Sequence, residues 1–597
     1  MSESISNERL SKRNLWGYSM GGIGRDMAYQ LVNTYLLTFI TFTKGLSNTE
    51  FAMVGVIMVI CRIFDGCNDP FMGSVIEITR TKIGKFKPWI LAGVFTNVAV
   101  IIALFCVPLR GTSYLIFFAF GYLLWGMTYT MNDISYWGML PSLTSNPGDR
   151  NNLTTLANIG AGIGAGLSVL AIPSLTQGNL AIASNASKSY AIVSIIVCIV
   201  FFVCQIMTVF VVKEKPLPKV RVDNGEKRSL KDMFKVIFKN DQLKPVMASM
   251  LLYNIGSCIT MALASYWIYY RFAYQGLLVT LFTVISGVST LVIVFFPMMC
   301  KKHSRRWISK LSMIMIIVGY LLMFVISLTT GINPDADKVG FKIGEVLIPV
   351  TFIFTGLTGA CAFFGQTLFY QVLTISVANT VEYNEYKTGM RDEGVIFACR
   401  PFTAKLGSAA VVGITTLVVL ALGLNPTNKA ISNADYEAGQ LAVQVEQLVK
   451  DETPNFDSLS KEEQTKLIEA KKKSIETENV AKIENIIHTN EDTKVAKWQY
   501  QTMFAFMTLL PLVILLGSFA IYFKKYNISE ERYDEICAEI AKRKLAAEGN
   551  AEVVLDGADV NELENDLASS DAETPDEIFE QEAAADKISK APDEVEK

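Results

Sequence analysis

Histidine is almost absent from this chain, with two in 597 residues. The ten cysteines form no C-x-x-C pair and no cluster with either histidine, which argues against a zinc site. Nine of them (Cys61, Cys67, Cys106, Cys198, Cys204, Cys258, Cys300, Cys361 and Cys399) lie in or at the edge of apolar blocks, as small buried side chains do, and only Cys537 falls in a clearly aqueous segment. No phosphate-cradling glycine loop and no nucleophile–base pair is visible, so no enzyme and no cofactor is expected. The first residues, MSESISNERLSKRN, are polar and lack a cleavable-signal pattern, so the first apolar block is expected to remain as a membrane span. The net charge of −3 says little about partners, because charge is segregated by region.

What the chain has in quantity is long apolar blocks. Hydrophobic residues are 51% of the total and fall in runs that reach the roughly 20 residues a bilayer-crossing helix needs. Candidate spans lie near residues 17–43, 51–77, 89–108, 114–138, 152–174 and 189–213, then 245–271, 277–300, 307–330, 346–375, 394–423 and 499–523. The predicted fold is therefore all-α: twelve transmembrane helices in two six-helix bundles, since backbone polar groups in lipid must be satisfied within each span. The bundles take residues 1–213 and residues 245–424 with 498–524, joined by a cytoplasmic linker at 214–244.

Lysine and arginine set the orientation. Arg80, Lys82, Lys85 and Lys87 follow span 2, and Lys301, Lys302, Arg305 and Arg306 follow span 8, whereas connectors on the other side carry only Lys44, Arg110 and Lys188. Both termini are thus expected on the cytoplasmic face of the inner (plasma) membrane. The two basic connectors hold equivalent places in the two halves, and a tryptophan follows each (Trp89, Trp307), the weak internal repeat of a carrier with a central path. Residues 425–497 read as an extracytoplasmic helical insertion, with KEEQTKLIEAKKKSIETENVAKIENIIH as its helix. Residues 525–597 form a cytoplasmic tail, largely disordered by expectation, because seventeen acidic residues stand against three lysines from Glu548 onward.

An ionisable residue inside a span costs at least ~2.5 kcal/mol, so those that remain point to function. Span 1 carries Arg25 and Asp26, and span 2 carries Arg62, Asp65 and Asp69. Asp65 and Asp69 are four apart and share a helix face, with Asn68 beside them. Two such carboxylates repel in low dielectric unless a cation or shared proton sits between them, and hard oxygen donors suit an alkali cation. Arg62 alone cannot neutralise both together with Asp26. Span 4 places Thr130, Asp133 and Trp137 on one face: a carboxylate to accept sugar hydroxyls and an indole to stack on a sugar ring.

Five segments carry a resemblance: GIGRD at 22–26, DGCNDPFMG at 65–73, RTKIGKFKPW at 80–89, WGMTYTMND at 125–133 with Trp137, and TVEYNEYK at 380–387. In these the chain resembles the glycoside–pentoside–hexuronide:cation symporters, the melibiose-permease-like branch of the major facilitator superfamily, over roughly residues 14–424 and 499–545. The resemblance implies a cation site at Asp65 and Asp69 with Asn68 and Thr130. It implies sugar contacts at Asp26, Asp133 and Trp137, with Arg25 beside them, and places Lys387 near both sites. Melibiose-type members hold the sugar with a span-5 arginine; here Asn158 stands at the best local match. The basic segment with Arg80, Lys85 and Lys87 is expected to gate the cytoplasmic side. The predicted function is symport of a sugar or glycoside with sodium or a proton, with no metal beyond a sodium at Asp65 and Asp69. The partners expected are that sugar, the coupling cation and the lipid bilayer, with no nucleic acid. Two alternatives stand beside it, a symporter of a lipid-like substrate on the same fold and, from another class, a non-transporting membrane sensor.

Overall fold

The computed structural model describes residues 10–144, 147–213, 239–330, 337–343, 346–390, 392–453 and 455–555. Most of the linker expected at 214–244 and of the acidic tail therefore lies outside the described residues. Residues 1–533 form one compact unit and residues 534–597 a second.

The first unit opens with α1 (Lys12–Thr43), α2 (Asn48–Ile78), α3 (Lys87–Cys106), α4 (Gly111–Met139), α5 (Pro147–Thr176) and α6 (Ala186–Val211). After the linker come α7 (Leu243–Arg271), α8 (Gly276–Ser289), a 3-10 turn, α9 (Phe296–Lys302) and α10 (Arg305–Thr330). A short antiparallel hairpin, β1 (Gly340–Ile343) with β2 (Val346–Pro349), leads into α11 (Val350–Thr388) and α12 (Glu393–Ala421). The insertion supplies α13 (Asn425–Val443), α14 (Val445–Glu452) and α15 (Lys461–His488), and α16 (Lys497–Lys525) returns to the bundle. The last described helix, α17 (Glu530–Leu555), begins in the first unit, and the described part of the second unit is helical.

Among the described residues, ten helical stretches are long and apolar enough to cross a membrane: α3 to α7, α8 with α9, α10, α11, α12 and α16. The long helices α1 and α2, outside that set, carry Arg25, Asp26, Arg62, Asp65 and Asp69 within their length. Large apolar side chains such as Phe71, Phe120 and Phe210 stand fully out on the helix surfaces. In water such a surface would be an aggregation hazard, whereas against lipid it costs nothing.

Local chemistry sets the helix ends. Ser47 and Glu50 form a reciprocal capping box at the start of α2, with Ser47 Oγ accepting from Glu50 N at 3.3 Å and Glu50 Oε2 accepting from Ser47 N at 2.8 Å. Ser460 and Glu463 repeat the device at the start of α15, whose range is the KEEQ…IIH segment. At the other end of α11, Gly389 takes the left-handed conformation (φ 73°) that stops a helix. That helix is longer than expected. Its 39 residues span about 58 Å at 1.5 Å each, against a hydrocarbon core of about 30 Å. Its last turns, which carry TVEYNEYK, therefore run well beyond the region where the charged residues of α1, α2 and α4 meet.

Close approach of α1 and α5 depends on absent side chains. A Cβ on Gly160 or Gly164 would overlap the carbonyl oxygens of Ser19 and Ile23, so these two glycines, four residues apart, let the backbones touch. α1 is also pinned to α4. Tyr18 and Tyr136 stack at 4.4 Å, and each hydroxyl donates to the other's backbone carbonyl at 2.8 Å. Arg25 and Asp26 are set by these contacts of their helix.

Hydrogen bonds between the two halves cross chiefly at the end that bears the insertion. Thr41 meets Tyr266 at 3.0 Å, Ser174 meets Thr280 at 2.7 Å, and Gln177 donates to Tyr274 at 3.0 Å. Phe42 packs its ring against Tyr269 and Tyr274 with centroids 5.6 and 5.1 Å apart. The insertion joins this closure: Arg110 donates to the Ser432 carbonyl at 3.0 Å, and Asn425 to the Leu46 carbonyl at 3.0 Å.

Candidate functional site

Two clusters of opposite charges lie side by side along α4. In the first, Arg25 of α1 is held in two directions. Its Nε and NH2 donate to Asp26 Oδ2 at 3.0 and 2.5 Å, and its NH1 lies 3.2 Å from Asp133 Oδ1. The guanidinium also covers the rings of Tyr136 and Trp137, 4.7 and 4.8 Å from their centroids. Arg25 is buried at 4% side-chain exposure, whereas Asp133 keeps 34%. The arginine therefore acts as the floor, and the carboxylate and indole present their free sides.

In the second cluster, Asp65 and Asp69 of α2 face one ammonium. Lys405 Nζ lies 3.0 Å from Asp65 Oδ2 and 2.6 Å from Asp69 Oδ2. Thr130 of α4 donates to Asp65 Oδ1 at 2.7 Å, with Asp69 Oδ1 at 3.4 Å. Asn68 is buried on the same helix. Lys405 belongs to α12 in the second bundle, so this contact also ties the two halves together near their middle.

Each cluster holds one positive and two negative charges, a net of −1. Placed within membrane-crossing helices, each is one cation or proton short of balance, because low dielectric penalises uncompensated charge. The clusters are joined rigidly: Thr130 touches the second, and Asp133 and Trp137, one and two turns on along α4, belong to the first. A shift of α4 driven at one cluster is felt at the other.

Two expected positions differ. Lys387 does not reach either cluster. It sits in the last turn of α11, about half exposed, where its ammonium pairs with Asp241 ahead of α7. The physical reason is the length of α11, which carries residue 387 past the membrane's middle. The lysine at the site is Lys405, which the sequence reading passed over. Its signal was present all the same, a lone lysine inside the apolar block at 394–423. Arg62 also takes another partner, donating to Asn33 with its guanidinium 5.3 Å from the Trp125 ring, so Lys405 is the cation that meets both aspartates.

The other expected residues have local partners. The Asn158 amide is exposed and donates to the Thr154 carbonyl at 2.9 Å, one turn back on α5. In the basic segment, Lys87 Nζ donates to the Val212 carbonyl at 2.6 Å and Lys85 lies over Phe86. Arg80 NH1 donates to the neighbouring Thr79 carbonyl at 2.8 Å. These contacts pack the loop after α2 against its own bundle.

Between the bundles lies a cavity of about 400 Å³, lined by Asn33 and Thr38 of α1, Ser257 of α7, Thr283 of α8, Gln366 of α11 and Ser408 of α12. These uncharged hydroxyls and amides are set among mainly apolar walls, which include Leu37, Val169, Met261, Phe363 and Val411. Ser408 is three residues beyond Lys405 and Asn33 accepts from Arg62, so the cavity borders α1 and α12, one helix from each cluster.

A family model described as MFS/sugar transport protein matches residues 17–442. The chain is 26% identical over 437 residues to the raffinose carrier protein of Pediococcus pentosaceus, covering 71% of this chain and 64% of that one. It is 29% identical over 419 residues to the lactose permease of Lactobacillus delbrueckii subsp. bulgaricus, covering 68% and 63%. It is 27% identical over 414 residues to the isoprimeverose transporter of Lactiplantibacillus pentosus, covering 68% and 80%. The chain thus spans a little under two thirds of the length of the first two.

Proposed function

The chain belongs to the family of MFS/sugar transport proteins and is a multi-pass membrane protein, and from that premise we propose that it carries a sugar or glycoside into the cell together with a sodium ion or a proton. The observation that supports this most is the pair of clusters on α4, each one positive charge short. Asp65 and Asp69, with Thr130 and Asn68, take the coupling cation. Asp26, Asp133 and Trp137, with Arg25 as their floor, take the sugar. Relatives named for raffinose, lactose and isoprimeverose support a glycosidic substrate.

The mechanism follows from the charges. Lys405 offsets one of the two carboxylate charges in the conformation with the insertion end closed. A cation arriving at Asp65 and Asp69 competes with that ammonium, loosens the hold of α12 on α2 and favours the opposite arrangement of the bundles. Thr130 then carries the cation's position along α4 to Asp133 and Trp137. The cation raises sugar affinity, and the sugar raises cation affinity by the same factor. In the opposite conformation the basic segment with Arg80, Lys85 and Lys87 helps close the far end. On this reading both termini, the linker at 214–244 and the tail face the cytoplasm, residues 425–497 face outside, and the protein works as a carrier without a cofactor rather than as an enzyme.

Equilibrium binding of a panel of glycosides to the purified protein, with sodium or choline as the salt and at two pH values, tests the reading. Tighter binding of one glycoside in sodium supports sodium coupling, and a response to pH alone supports protons. Binding of no glycoside in any condition refutes it.

A further inference from the structure

Beneath the insertion, away from both clusters, three buried polar side chains point their unsatisfied atoms into one cavity. The cavity measures about 310 Å³ and is walled by the loop between α5 and α6, by Ala273 and Tyr274 after α7, and by one face of α15. Gln177 Oε1 and Ser184 Oγ from the loop and Asn479 Oδ1 from α15 all line it, and none of the three atoms has a hydrogen-bond partner. The residues are 1%, 7% and 8% exposed. Buried polar atoms are nearly always paired in folded proteins, so three unpaired ones on one cavity mark a place where something polar binds.

Their chemistry narrows what it is. Gln177 donates its Nε2 to Tyr274 at 3.0 Å, which turns its oxygen towards the cavity as an acceptor. Two amide oxygens require O–H or N–H donors, and the serine hydroxyl serves as donor or acceptor. The carboxylate of Asp435 is already engaged, accepting from the backbone N–H groups of Ala186 and Ser187 at 2.5 and 3.1 Å, so it offers no ready cation ligand. The rim carries charge of both signs, Lys473 with Glu476 and Glu484. The volume suits a single sugar ring and is too small for an extended chain.

We propose that this cavity is a second, outward-placed binding site for a small neutral polyol of monosaccharide size, separate from the clusters on α4. Because its walls come from the first bundle, the second bundle and the insertion together, an occupant favours the arrangement in which all three meet. The site stands on its own residues and does not depend on what the central site carries.

The test is equilibrium binding of tritiated galactose, glucose and xylose to the purified full-length protein and to three variants. With Asp133→Asn, which impairs the sugar site of the α4 cluster, at least one of these sugars is expected to keep one saturable site per chain. Asn479→Leu, which removes an acceptor, is expected to weaken that binding about five- to tenfold, whereas Asn479→Asp, which keeps an acceptor, is expected to retain it. Retention by Asn479→Asp separates a ligand contact from a loss of folding. Binding of none of the three sugars to Asp133→Asn overturns the proposal. So does binding that Asn479→Leu leaves unchanged, or a titration in which calcium chloride rather than sugar occupies the site in an Asn479-dependent way.

Discussion

Replacing Lys405 by methionine removes the ammonium while keeping most of the apolar stem. In the structure that ammonium lies 3.0 Å from Asp65 and 2.6 Å from Asp69. At an effective dielectric of about 20 each contact has a gross Coulomb energy of about 5–6 kcal/mol. Desolvation cancels most of it, and Asp69 is a third exposed, so water partly screens the pair that is left. The net loss expected in the absence of any coupling cation is about 2–3 kcal/mol, because two neighbouring carboxylates are left uncompensated. A sodium ion has no competitor in the variant. At a hundred times its dissociation constant it returns about 2.7 kcal/mol. Thermal unfolding of purified wild type and Lys405→Met, in choline chloride and in sodium chloride, separates the terms. The variant should melt lower than wild type in choline and gain more from sodium than wild type does. A variant as stable as wild type in choline refutes the electrostatic account of Lys405. One that loses stability yet gains no more than wild type from sodium, and nothing extra from low pH, refutes the cation site.

The remaining predictions concern packing, the sugar and pH. Trp137→Ala should weaken glycoside binding about tenfold or more, by loss of the stacking face, with little change in sodium affinity measured without sugar; equal losses of both would show a folding defect instead. Gly164→Leu should be poorly folded, since its side chain has to displace the Ile23 backbone, whereas Gly162→Leu, with open space at its Cβ, should melt within a few degrees of wild type. Burial raises the Asp435 carboxyl to about 6, against the opposing pull of the Ala186 and Ser187 N–H groups and of Arg110 and Lys44. A raised carboxylate binds its proton more tightly when folded, so docking of α13 is most stable below the ordinary carboxylate range and loses about 3 kcal/mol as pH rises through about 6. Protection factors for amide exchange across residues 425–443 should therefore be higher at pH 5 than at pH 7, and Asp435→Asn should flatten the difference; protection that rises with pH in wild type would contradict the sign.

Sequence alone determined the elements whose causes are local. Apolar runs of bilayer length locate the spans, and the helical spacing of KEEQ…IIH locates α15, because hydropathy and helical periodicity act over a few turns. Spacing was equally enough to bring Asp65 and Asp69 onto one face, and Thr130, Asp133 and Trp137 onto another, because 3.6 residues per turn fixes both. Tertiary structure decided which charges meet. No spacing relates Asp69 to Lys405, 336 positions away in the other bundle, and Lys387 was placed near the site by resemblance alone, whereas the length of α11 carries it to Asp241. The same holds for the cavity beneath the insertion, whose polar atoms come from residues 177, 184 and 479. Helix periodicity is a property of neighbouring peptide units, whereas the partner of a buried charge is set by how whole helices pack, and that depends on contacts no short stretch of chain contains.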